Sequence, residues 1–93
     1  MELRAFQRSI TETYGERDRR RGVVTAVAWL AEEVGELAQA VRKGTIDDQR
    51  HEIGDVLAWL TSLASQLGID LAEAAARFAD GCPICDSSPC RCA

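Results

Sequence analysis

The sequence predicts an all-α chain of four helices followed by an irregular, cysteine-rich tail. Apolar residues at 23, 27, 30, 34, 37 and 41 alternate steps of four and three, the spacing of a single helical face. A second apolar set follows in Ile53, Val56, Leu57, Leu60, Leu63, Ala64 and Leu67. Nowhere does the chain alternate apolar and polar residues as a half-buried strand would, and no segment repeats another.

Taken in order, Leu3, Phe6 and Ile10 predict a first helix from about residue 2 to Tyr14, with Gly15 as its stop. GERDRRRG, residues 15–22, then reads as a polar loop bracketed by glycines. The second helix starts at Val23 and closes on Arg42, Lys43 and Gly44. Those are cations that complement the helix dipole, then a residue free to take a left-handed cap. Thr45 and Asp48 have capping-box spacing, and Asp47 adds negative charge to the first turn of the third helix. That helix is expected to bury its apolar set and end at Gly68. Asp70 and Glu73 open a short fourth helix ending near Gly81. Residues 1–81 thus read as one domain and 82–93 as the tail.

At 93 residues, one chain buries only a modest core, so self-association is expected. No stretch approaches the roughly 18 apolar residues of a membrane span. The opening MELRAFQRSITE has charges where a signal peptide needs its apolar run, which points to a cytoplasmic protein. The net charge of -4 argues against nucleic acid as a partner.

One stretch conflicts with simple packing. WLAEEVGEL, residues 29–37, places Glu32, Glu33 and Glu36 beside the apolar seam, and like charges at helical spacing are unfavourable. The short connection at 44–45 makes helices two and three antiparallel neighbours. Counted outward from it, Glu36 pairs in height with Glu52, Glu33 with Asp55, and Trp29 with Trp59. Isolated helical glutamates are usually solvated, but two such pairs around one short turn point to a shared site. Four converging carboxylates need protons or a cation, and an oxygen-only set suits Mg²⁺ or Mn²⁺. Glu32 turns further towards solvent: a surface acid, or a group that orients an attacking water. His51 reads as a surface residue or a support for a ligand. Trp29 is a candidate stacking surface, although packing is the commoner use of an indole.

Glu32-Glu33-Val34-Gly35-Glu36 followed by Glu52-Ile53-Gly54-Asp55 resembles the signature of the MazG-like nucleotide pyrophosphohydrolases. The surrounding W-L-x-E-E-V-G-E-L-A, G-D-V-L-A-W and L-G-I-D-L-x-E-A extend the resemblance over about residues 15–76. It implies an all-α NTP pyrophosphatase that dimerises into a helical bundle, or forms a dimer of dimers. It also implies Mg²⁺-dependent release of monophosphate and pyrophosphate by attack of water at the α-phosphorus. By position, Glu33, Glu36, Glu52 and Asp55 would be the metal ligands. Phosphoribosyl-ATP hydrolysis is the related alternative, and a noncatalytic helical module with a zinc tail is the alternative from another class.

Phosphate contacts are expected from the arginine run 17, 19, 20 and 21, Arg19 and Arg21 above all, with Lys43 as the other nearby cation. Beyond the fourth helix AAARFADGCPIC offers only Arg77, where many relatives carry a basic segment. Cys82, Cys85, Cys90 and Cys92 give C-x2-C-x4-C-x-C, whose first half has zinc-knuckle spacing. Free thiols and disulfides are the other readings of that tail.

Overall fold

A computed structural model describes residues 2–93. Four helices carry the chain: α1 (Leu3–Arg21), α2 (Val23–Lys43), α3 (Ile46–Gln66) and α4 (Leu71–Ala75). A 3-10 turn, Ala76–Phe78, follows α4, and no strand occurs among the described residues. α2 and α3 form the main hairpin, α1 lies chiefly against α3, and α4 closes over the start of α1. No helix among the described residues is long and apolar enough to cross a membrane.

α1 overturns the expected loop at residues 15–22: the helix runs through Gly15 and ends only at Gly22, where φ is 87°. An interior glycine costs a helix about 0.5–1 kcal/mol, and contacts with α3 outweigh that. Asp18 is buried and accepts a hydrogen bond from Ser62 Oγ at 2.7 Å. Higher up, Gln7 Nε2 donates to Ser65 Oγ at 3.0 Å and to the Ile69 carbonyl at 2.9 Å, while its Oε1 accepts the Leu71 N–H at 2.8 Å. Arg19, Arg20 and Arg21 then occupy the last turn, where cations suit the helix dipole.

The expected left-handed cap at Gly44 does not form; its backbone is extended, with φ -97° and ψ -179°. Space makes glycine fit there instead. A Cβ would lie 2.8 Å from the Ala40 carbonyl oxygen and 3.0 Å from Asp48 Oδ2. The short α4 starts as expected, with Asp70 Oδ1 accepting the Ala72 N–H at 2.9 Å. Asp70 also accepts from Arg4 Nε at 3.0 Å, tying α4 to α1.

The core differs from the one expected. Ile10, Ala26, Ala40 and Ala64 are the buried apolar residues, with Thr61, Ser62 and Asp18 beside them. Small residues let the helices approach, so much of each apolar stripe is left outside. On α2 Val23, Val27, Val34 and Val41 are exposed, Val41 to 63%. On α3 Ile53, Leu57, Leu60 and Leu67 are exposed, Ile53 to 56%, although the sequence assigned them to the core.

Candidate functional site

The register of the hairpin is set at its turn. Thr45 Oγ1 accepts the Asp48 N–H at 3.1 Å, and Asp48 Oδ2 accepts the Thr45 N–H at 2.9 Å, a complete capping box. Two residues therefore separate α2 from α3, and positions equally distant from the turn face each other. The indoles report that register: Trp29 and Trp59 stack with centroids 5.2 Å apart and planes tilted by 37°.

Between the indoles and the turn the acids converge. Carboxylate oxygens of Glu33, Glu36 and Glu52 lie within 4.8 Å of one another, and so do ligand atoms of His51, Glu52 and Asp55. Glu52 belongs to both groups and joins them. Glu33, Glu52 and Asp55 are half-buried and Glu36 is exposed. On the outer side, His51 Nε2 sits 3.2 Å from Asp55 Oδ2.

The cluster holds more acceptors than the protein satisfies. The Oε2 atoms of Glu33 and Glu52 are shielded from solvent and make no hydrogen bond. An unmatched buried acceptor costs about 1–3 kcal/mol, more when charged. Burial, then the neighbouring carboxylates of Glu36, Asp55 and Glu52, push the Glu33 carboxyl up to about 7. The orphaned oxygens and the oxygen-rich donor set fit a hard divalent cation, which would take both lone pairs and the excess charge.

The other expected site residues divide. Glu32 is exposed and belongs to neither group. Lys43 lines an open hollow with Glu36, Gln39 and Glu52, at the turn end of the cluster. Trp29 is 44% exposed, with the Arg21 guanidinium over its ring at 5.4 Å. Arg19 lines a separate hollow with Ile10, Asp18 and Ser62, whose lining includes none of the four carboxylates. The helical course of α1 is the reason. In a loop the arginines would be interchangeable, but on a helix Arg17 and Arg21 share a face and Arg19 turns away. Arg17 lines a pocket of about 200 Å³ with Tyr14, Asp55 and Trp59, against the site. Its i, i+4 relation to Arg21 was the available signal, hidden by the expected break at Gly15. The Asp18–Ser62 bond had no signal in the sequence. The Sγ atoms of Cys82, Cys85, Cys90 and Cys92 also gather within 4.8 Å of one another.

A family model described as the MazG nucleotide pyrophosphohydrolase domain matches residues 21–81. The match takes in both tryptophans and all four converging carboxylates, and stops one residue before Cys82. No curated protein matches the chain.

Proposed function

Because this chain belongs to the MazG nucleotide pyrophosphohydrolase family, we propose that it hydrolyses a nucleoside triphosphate to the monophosphate and pyrophosphate, with Mg²⁺ held by Glu33, Glu36, Glu52 and Asp55. The observation that carries the reading is the pair of shielded, unbonded oxygens on Glu33 and Glu52, one from each half of the hairpin. When bound, the cation lowers the pKa of coordinated water and screens the triphosphate. Water adds to the α-phosphorus while the bond to the αβ-bridging oxygen breaks, and pyrophosphate leaves with that oxygen. What this chain supplies is position and charge, which phosphoryl transfer needs most. Trp29, 44% exposed, offers indole surface to the base one helical turn from Glu33. Arg21 on that indole and Arg17 beside Asp55 supply guanidinium forks for phosphate oxygens, and Lys43 supplies charge at the opposite end. These cations stand in for the basic segment that the region after α4 lacks. Glu32, on the ridge beside Glu33, is left to orient or deprotonate the water.

The active form we propose is a dimer, or a dimer of dimers, formed through the exposed stripes of α2 and α3. A monomer of this mass exposes about 5,300 Å² on average, whereas this chain exposes 6691 Å². Its radius of gyration, 15.3 Å, likewise exceeds the roughly 12 Å of a compact domain of this length.

Incubation with each NTP and dNTP plus Mg²⁺, with pyrophosphate detection, tests the function. Release with at least one nucleotide is expected, falling at least 100-fold in Glu36→Gln. Silence across the panel with turnover of phosphoribosyl-ATP would reassign the substrate, and silence on both would sink the proposal.

A further inference from the structure

The tail lies outside the matched domain, and its four thiols are arranged around a common centre. Cys82 Sγ and Cys92 Sγ are 3.7 Å apart, and Cys85 Sγ and Cys90 Sγ are 4.0 Å apart. All four sulfurs fall within 4.8 Å of one another. A disulfide would bring two sulfurs to about 2.05 Å. Four thiolates at about 2.3 Å from one tetrahedral ion sit about 3.8 Å from each other. The measured spacings match the second arrangement.

The backbone is shaped for the same centre. The Arg91 N–H donates to Cys85 Sγ at 3.3 Å and the Cys92 N–H to Cys90 Sγ at 3.4 Å, leaving both sulfurs oriented as acceptors of positive charge. The loop holding the first pair closes on itself, with the Asp86 N–H donating to the Cys82 carbonyl at 2.7 Å and the Cys82 N–H to the Ser87 carbonyl at 2.9 Å. Gly81, at φ 106°, makes that closure possible. A Cβ there would meet the Ser87 carbonyl oxygen at 2.9 Å.

We infer that Cys82, Cys85, Cys90 and Cys92 form a structural zinc centre, one ion per chain, independent of the carboxylate cluster. Tetrahedral four-sulfur sites take zinc or iron, and the usual affinity order favours Zn²⁺ over Fe²⁺. No His, Asp or Glu among the described residues joins the four sulfurs, so the ion is fully coordinated by thiolates. It fixes the chain end and supplies no open position for substrate.

Metal analysis of the full chain, purified under reducing conditions from zinc-supplemented cells and dialysed, tests this. The result expected is one zinc per chain, with four thiols becoming titratable as mercurial releases it. Replacement by Co²⁺ should produce thiolate-to-cobalt charge-transfer absorption, a signature that carboxylates cannot give. Cys85→Ser with Cys90→Ser should lower retained zinc at least tenfold with far-UV helicity intact, while Glu36→Gln keeps its zinc. Should the cysteine variant fail to fold, the cobalt spectrum of the native chain decides. Disulfides without metal, iron as the bound metal, or an absent charge-transfer band would overturn the inference.

Discussion

Glu33 carries the conflict on which the carboxylate site rests. Its Oε2 is shielded and unbonded, and its carboxyl is pushed up to about 7 by burial and by three neighbouring acids. Without metal, the folded chain holds this proton more tightly than the unfolded chain does. Glu33 therefore adds to stability at low pH, and that contribution is lost as pH rises from the unfolded value near 4.5 through about 7. In EDTA at pH 8, Glu33→Gln should melt higher than the parent, by about 2–5 °C after allowance for partial exposure. The same variant should release no pyrophosphate. A lower melting temperature, measured by circular dichroism, would show that protein groups already stabilise the ionised carboxylate. Glu33, Glu36, Glu52 and Asp55 were legible because height on facing helices follows from counting along the chain. Arg17 was not, because its direction depends on whether the backbone around Gly15 is helical.

At the scale of elements, the α2–α3 hairpin is the unit that makes the site. The capping box at Thr45 fixes where α3 begins, and hence which residues meet across the hairpin. Thr45→Ala removes the acceptor for the Asp48 N–H and should cost about 1 kcal/mol, the usual value of such a cap. The readout is urea unfolding, with a lowered midpoint and an unchanged slope. This box could be read directly from spacing, as could the starts of α2 and α4. The end of α1 could not. A single glycine costs little, and the Asp18, Gln7 and Thr11 contacts that outweigh it lie 44 to 58 positions away in sequence and involve residues with no apolar signal.

The whole molecule has too little interior for its length. Periodicity correctly located the apolar stripes of α2 and α3 but not what they face, because one pattern serves equally for a core and for an interface. The structure turns Val41 and Leu60 outward, which is why the proposed dimer is placed on those stripes. Val41→Glu combined with Leu60→Glu should halve the mass measured by light scattering and lower activity with it. A parent chain that is already monomeric at micromolar concentration would remove this surface from the account. The hairpin also has a temporal consequence. All four carboxylates lie between residues 33 and 55, joined through a turn of two residues. Contacts this local close quickly, and a chain made from its N-terminus presents them before α4 and the cysteines exist. The acidic pocket is thus expected to assemble early in synthesis, and the order in which the chain emerges would give it first access to the proposed cation.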